Sequence, residues 1–337
     1  MNNILVVNVN WLGDVVFSTP VFKAIKNAYP DARVSCLAVP RVHEVLKACP
    51  WVDEVLVYDE EHEHWSPWAK IMFIMALRRG KFDAAFLLHR SMTRGLLVCL
   101  AGIRQRIGYD SKKQGAFLTQ KVRLDKEVLH RSDEYLRIIE GFGLTVSDRV
   151  CELDVPASSS AAIEERLMGS GIKPQDPLVV VNTGGNWDLK RWPAEYFSVL
   201  IKRLVREFGV KVLIPGAAGD VELAAQIAQD SGVDPLVWAG ETKLNELFAL
   251  FKRAQVVISN DSGPLHAAAA VGTDVVAIFG PTRPEITGPR GRGRAVVLHK
   301  EIGCNKAPCY HLNCSNNECM RAITVDDVLQ AYQKLRR

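Results

Sequence analysis

With 337 residues, 48% of them hydrophobic and 24% charged, the chain has ordinary globular composition and is long enough for two domains, each burying its own core. A net charge of +4 is too small to point to nucleic acid, and no apolar run approaches the ~20 residues that cross a bilayer, which excludes a membrane-spanning protein of the helical kind. The start, Met1-Asn-Asn-Ile, carries neither a basic stretch nor a small-residue cleavage site, so a cytoplasmic protein is expected.

Ile4 to Val9 is a short apolar run of the kind buried on both faces of a parallel sheet. The turn Asn10-Trp11-Leu12-Gly13-Asp14 leads into Val15 to Ala28, where Val21, Phe22 and Ile25 recur at helical spacing and Pro20 predicts a kink or a restart. Strand signals follow at Arg33 to Val39 and Glu54 to Tyr58, with a short helix, Val42 to Ala48, between them. Helix Trp65 to Arg79, strand Asp83 to Leu88 and helix Thr93 to Leu100 continue the alternation, which predicts a doubly wound α/β sheet. Around Val146 to Ser160 the composition turns to Asp, Pro and Ser, the clearest linker in the chain, dividing it into domains 1–155 and 156–337.

The second domain repeats the pattern: strand Leu178 to Asn182, helix Ala194 to Phe208, strand Val210 to Ile214, helix Val221 to Ala228, strand Leu236 to Trp238 and helix Leu244 to Lys252. Then comes the stretch Val256-Val-Ile-Ser-Asn-Asp-Ser-Gly-Pro-Leu-His266, which reads as strand, tight turn and helix. Ser262 is placed to cap that helix and Pro264 to fill its first position, where a missing N–H costs nothing. A bare backbone at a helix start aims N–H groups and a positive dipole end at an anion, and phosphate is the usual occupant. Strand Val275 to Phe279 and a last helix, Val325 to Leu335 capped by Thr324, complete the domain.

Ligands in such sheets bind beyond the carboxyl ends of the strands, so the active site is expected in the cleft between the domains. Neither Gly-x-Gly-x-x-Gly after the first strand nor a Gly-x-x-x-x-Gly-Lys-Ser/Thr loop is present, which argues against dinucleotide-dependent redox chemistry and P-loop chemistry. Asp14, directly after Gly13, either caps a helix or accepts a proton from a substrate hydroxyl. In Asn182-Thr-Gly-Gly-Asn-Trp-Asp-Leu-Lys-Arg-Trp-Pro193, Gly185 lets the backbone approach a ligand, while Lys190 or Arg191 can neutralise a diphosphate; the alternative is a surface loop anchored by Trp192.

These segments together resemble glycosyltransferase family 9, the bacterial heptosyltransferases that build the lipopolysaccharide inner core. The resemblance runs through Trp11-Leu-Gly-Asp14 with Ser18-Thr-Pro20, Ala101-Gly-Ile-Arg-Gln-Arg-Ile-Gly-Tyr109, Lys190-Arg-Trp-Pro193, Ala239-Gly-Glu-Thr-Lys-Leu244, and Asn260-Asp-Ser-Gly-Pro-Leu-His266 with Phe279-Gly-Pro281. It implies a GT-B fold, two facing Rossmann-like domains with mainly parallel sheets, the acceptor held by the first and the nucleotide sugar by the second. It also implies inverting transfer of heptose from ADP-heptose to a lipopolysaccharide core acceptor at the cytoplasmic face of the inner membrane, with no cofactor, no metal ion and no nucleic acid.

On that reading Asp14 is the base, and Lys190, His266 and the N–H groups near Ser262, Gly263 and Leu265 stabilise the departing diphosphate. Asp261 contacts the sugar or fixes the turn. An acid in Gly216-Ala-Ala-Gly-Asp-Val-Glu222 binds the ribose, Glu222 being preferred over Asp220. Gly13 lies against the acceptor.

The charge is uneven: from Arg78 to Arg123 there are eleven Lys or Arg against two acids. Arg90, Arg94, Arg104 and Arg106 suit the carboxylates or phosphates of such an acceptor. Trp65, Trp68, Ile71, Met72, Phe73 and Met75 either rest on a bilayer or pack in the core. Cys36, Cys49, Cys99 and Cys151 read as reduced core thiols, whereas Cys304, Cys309, Cys314 and Cys319, five apart and with His311 among them, hold a structural metal or remain thiols or labile disulfides. Two other functions fit the same motifs: a transferase using another nucleotide sugar, and a nucleotide-sugar-binding module without turnover, which would have no use for a base at Asp14.

Overall fold

The apolar runs around β1, β4, β7, β10 and β11 become buried central strands, and most strands are followed by a helix that packs on the sheet. The computed structural model describes residues 1–123, 127–304, 309, 314 and 316–336. They form two compact units, Met1–Leu153 and Asp154–Arg337.

In the first unit the elements are β1 (Asn3–Val7), α1 (Leu12–Phe17), α2 (Thr19–Ala28), β2 (Arg33–Ala38), α3 (His43–Lys47), β3 (Glu54–Val57), α4 (Pro67–Arg79), β4 (Ala84–Leu87), α5 (Met92–Leu100), β5 (Gln105–Tyr109), β6 (Gln120–Val122) and α6 (Arg131–Phe142). All six strands are parallel, in the order β3-β2-β1-β4-β5-β6, with Leu5 opposite Ser35 on one side and Ala85 on the other. The sequence order reverses between β1 and β4, and loops at such a switch point diverge and leave a crevice. The helix after β1 breaks at Ser18, whose hydroxyl donates to the Val15 carbonyl at 2.7 Å, and restarts at Thr19 with Pro20 in its first turn. That is the restart Pro20 predicted.

The second unit contains α7 (Ala157–Gly169), β7 (Leu178–Asn182), α8 (Ala194–Phe208), β8 (Lys211–Gly216), α9 (Val221–Ser231), β9 (Leu236–Ala239), α10 (Leu244–Arg253), β10 (Val256–Asn260), α11 (Gly263–Ala270), β11 (Asp274–Phe279), α12 (Pro284–Thr287), β12 (Ala295–His299), α13 (Glu318–Arg321) and α14 (Val325–Leu335). Its parallel sheet runs β9-β8-β7-β10-β11-β12, the same winding, with the switch point between β7 and β10. Phe197, Leu200, Ile201 and Leu204 of α8 pack with Val328, Leu329 and Tyr332 of α14 in one core. Each such side chain contributes about 1.5–3 kcal/mol through burial. Only residues 146–156 of the expected linker are irregular. The Ser-rich remainder is the start of α7, where Ile163 and Leu167, one turn apart, are buried. Composition concealed a helix whose apolar contacts are few but correctly spaced.

Candidate active site

At the first switch point, the backbone after β1 enters α1 almost at once. Gly13 and Asp14 are therefore the second and third residues of the helix, and the expected turn is shorter than its sequence suggested. Asp14 does not cap: no side-chain cap is formed at Trp11, and the Asp14 carboxylate instead meets α6. Tyr135 Oη donates to Asp14 Oδ1 at 3.2 Å, and Arg131 Nε lies 3.5 Å from the same oxygen. Burial, then the charge of Asp14, pushes the Tyr135 phenol well above its ordinary value, so it stays a protonated donor. Burial disfavours the Arg131 charge, yet Glu134 and Asp14 hold its guanidinium above the ordinary value. The result is a half-exposed carboxylate fixed from one side through Oδ1, with no partner for its second oxygen among the described residues. Neither Tyr135 nor Arg131 was foreseen, although their spacing of four places them on one face of a helix.

The four arginines expected to hold the acceptor do not form one set. Arg90 pairs with Glu134 and stacks over the Tyr109 ring at 4.8 Å. Arg94 is buried, 4.5 Å over the Tyr58 ring and 3.5 Å from Glu60; burial lowers its guanidinium from the ordinary value. Arg106 is spent on the fold, donating from Nε to the Phe117 carbonyl and from Nη1 to the Ile103 carbonyl. Arg104 alone of the four is exposed with no side-chain partner among the described residues. Charge excess in sequence overstated free charge because guanidinium groups also close loops and pair locally.

At the second switch point, Lys190 ends a single turn after β7, and Asp261 follows β10. Lys190 Nζ lies 2.6 Å from Asp261 Oδ2, which also accepts from Thr282 Oγ1 at 2.6 Å, while His266 Nε2 lies 3.3 Å from Oδ1. Asp261 is thus 4% exposed with three partners. Burial works against its charge, but His266 and Lys190 outweigh it and hold the carboxyl well below the usual carboxylate range. Of its two expected roles, the geometry favours fixing the turn and its neighbours. Asn260 braces the two loops, accepting from the Trp192 N–H at 3.0 Å and donating to the Thr183 carbonyl at 3.1 Å. Trp192 is the packing anchor expected of it, its indole N–H on the Ile323 carbonyl at 2.9 Å.

The start of α11 corrects three expectations. Ser262 occupies the cap position, but its hydroxyl forms no cap; it lies 3.3 Å from Asn182 Nδ2 and 3.3 Å from Ser259 Oγ. Pro264 is the second helical residue rather than the first. The Leu265 N–H is committed to the Ser262 carbonyl at 3.1 Å, so the cradle narrows to the N–H groups of Ser262 and Gly263, unpartnered among the described residues. A Cβ at Gly185 would meet nothing within 4 Å, which leaves that backbone bare, and its carbonyl receives Arg191 Nε at 2.9 Å. Gly184 and Gly216 have a different purpose, since a Cβ on either would overlap Asp220. Asp220 in turn accepts the Ala217 N–H at 3.0 Å, whereas Glu222 stands exposed in the first turn of α9. The Thr183 hydroxyl, buried just after β7 and without a partner among the described residues, is a further polar group that the sequence did not single out.

Cys304, Cys309, Cys314 and Cys319 are free thiols lining one hollow beside Gly280 and Pro281, and the Cys309 N–H donates to the Pro281 carbonyl at 2.8 Å. Among the described residues no three His, Cys, Asp or Glu side chains gather as ligands for an ion. His311 lies outside the described residues.

Comparison with known proteins gives this arrangement its context. The model of glycosyltransferase family 9 (heptosyltransferase) matches residues 71–320. The chain belongs to glycosyltransferase family 9. Lipopolysaccharide heptosyltransferase 2 of Salmonella typhimurium is 27% identical over 323 residues, spanning 91% of this chain and 92% of that enzyme. A family 9 glycosyltransferase from Veillonella parvula superposes with a TM-score of 0.86 at 24% identity, covering 99% of this chain and 97% of the other. ADP-heptose lipopolysaccharide heptosyltransferase II of Escherichia coli does so with a TM-score of 0.82 at 23% identity, over 99% and 98%. The fold is accordingly GT-B, built of two Rossmann-like units, and the chain is a glycosyltransferase of this family. No described helix is long and apolar enough to cross a membrane.

Proposed function

We propose that this chain transfers heptose from ADP-heptose to a lipopolysaccharide inner-core acceptor, with inversion at the anomeric carbon, at the cytoplasmic face of the inner membrane. One observation carries the chemistry: an ammonium group, Lys190, held 2.6 Å from a buried carboxylate beside the free N–H groups of a helix start. An ammonium has three N–H donors, so Lys190 keeps donors for phosphate oxygens while paired with Asp261. The heptose and the acceptor class rest on relatives named as lipopolysaccharide heptosyltransferases, and the ADP carrier on a similar structure named as an ADP-heptose heptosyltransferase.

The acceptor hydroxyl attacks the anomeric carbon as Asp14 takes its proton. The bond from that carbon to the diphosphate breaks, and its electron pair leaves on ADP. Lys190 and the Ser262 and Gly263 N–H groups stabilise the growing negative charge. In an inverting displacement one base is enough, and Asp14 is that base. His266 acts through Asp261, Glu222 takes the ribose hydroxyls, and Arg104 reaches an anionic group of the acceptor. The first unit serves the acceptor and the second the nucleotide sugar.

The test is turnover of ADP-heptose with a truncated core acceptor in excess chelator, with ADP release and product mass both measured. Product formed at an undiminished rate is expected. Transfer from a UDP- or GDP-sugar but not from ADP-heptose would overturn the donor assignment, and loss of activity with chelator would overturn the metal-free mechanism.

A further inference from the structure

Helix α4 is apolar on two opposite sides. Phe73, Ile74 and Leu77 pack into the core under the sheet, while Trp68, Ile71, Met72 and Met75, spaced i, i+3, i+4 and i+7, face outward and are exposed. Trp65 and Trp68 are 69% and 70% exposed. Ser66 caps this helix through the Ala69 N–H at 3.1 Å and Pro67 opens it, so Trp68 stands on a fixed first turn and Trp65 directly before the cap.

The neighbouring helix repeats the pattern. In α5, Leu97 and Val98 join the same core, while Met92, Leu96 and Leu100, one turn apart, are exposed. The two helices pack against each other on one face of the sheet. The outer sides of the two helices thus carry seven exposed large apolar side chains, and exposed apolar side chains gathered in this way mark interaction surfaces.

Its charge names the occupant. Neither helix contains an acid, and the sequence has none from Pro67 to Lys81 or from Ala84 to Tyr109. Lys70, Arg78, Arg79, Lys81 and Arg104 are exposed on or beside the helices; of the exposed acids nearest in sequence, Glu60, Glu61 and Glu63 precede Trp65, and Asp83 accepts from the N–H groups of Asn2 and Asn3. A two-fold dimer would bring this patch against its own copy and set cation against cation. An anionic lipid surface satisfies both features, because tryptophans settle at the headgroup boundary, aliphatic side chains enter the acyl edge and the basic rim meets lipid phosphates. We propose that the outer faces of α4 and α5 dock this unit onto an anionic phospholipid bilayer. The docking brings the Asp14 carboxylate to a lipid-anchored acceptor, a use that rests on the function proposed above.

Flotation of the full chain with vesicles of phosphatidylethanolamine and phosphatidylglycerol, free of lipopolysaccharide, tests the docking without requiring turnover. The wild type should float with them, and with phosphatidylcholine vesicles far less. Trp68→Glu/Ile71→Glu should lower partitioning roughly tenfold or more, while Val199→Glu, at an exposed apolar position of α8, should not. Arg78→Gln/Arg79→Gln keeps the apolar face and should weaken binding to the anionic vesicles alone. Rates on a lipid-free acceptor should be equal in all four proteins, which separates this proposal from the enzymatic one. Wild-type protein that stays unbound, or a Trp68→Glu/Ile71→Glu variant that floats as well as wild type, overturns it. So does a wild-type dimer that the same variant converts to monomer with neither floating, which would give the face to a second copy.

Discussion

The two units share one winding, yet their switch points are prepared differently. In the second, the charged groups are assembled and nearly dry: Asp261 has Lys190, Thr282 and His266 within 3.3 Å. In the first, Asp14 remains half-exposed and, among the described residues, its carboxylate meets one wall, Tyr135 and Arg131 of α6, while Trp11 is 57% exposed. Charge that develops on a leaving diphosphate gains most from donors fixed in advance, since no reorganisation is then needed as the bond breaks. A base that takes a proton from an incoming hydroxyl needs an open oxygen more than a closed shell. Like topology thus carries unlike surroundings: in the first unit the residue after the first strand meets the helix after the sixth, and in the second the residues after the first and fourth strands meet each other.

The sharpest break is at the open side. Asp14→Asn keeps shape and the Tyr135 contact but cannot accept a proton, so kcat should fall by roughly 10²–10⁴-fold with ADP affinity unchanged. Retained turnover would remove Asp14 from the mechanism. On the closed side, Lys190→Ala removes one cation from a set that includes helix N–H groups, and about a hundredfold loss in kcat/KM is expected, accompanied by weaker ADP binding measured by calorimetry. If both constants were unaffected, the ammonium would serve Asp261 alone.

How much of this was legible follows from distance along the chain. Strand, turn and helix around Asp14 and Asn260 to His266 are contiguous, and local patterning showed them. The pairing of Lys190 with Asp261 joins residues 71 positions apart, and Tyr135 with Asp14 joins residues 121 apart. No periodicity encodes such contacts; only the sheet order brings those loops together. The arginine-rich segment misled for a related reason, because composition counts charges but not their local partners: Arg90 faces Glu134, and Arg106 faces carbonyl oxygens. The Leu265 N–H was lost to a tightened first turn of α11, a detail of φ and ψ to which residue type is blind.

A third measurement tests whether the closed side is held by charge. The Asp261 carboxyl titrates below its unfolded value, so it contributes stability above the ordinary carboxylate pKa of about 4, and that contribution is lost as pH falls toward the folded value. Asp261→Asn should cost about 1–3 kcal/mol in denaturant unfolding at neutral pH. The gap to wild type should narrow steadily below about pH 4, because the wild type alone loses this term. A gap independent of pH would mean that packing rather than ionisation holds the cluster.

The smallest expected effect concerns the single wall of the open side. Tyr135→Phe leaves α6 packed and removes one hydroxyl from Asp14, a bond worth about 0.5–1.5 kcal/mol, so kcat should fall roughly threefold to tenfold. Since Tyr135 is a positioning residue, rate alone does not identify its role. A hydroxyl that only orients the carboxylate should alter kcat while KM for the donor stays constant. A rise in KM for the donor that matches the fall in kcat would reduce Tyr135 to packing, and Arg131 would then be the anchor of Asp14 at the first switch point.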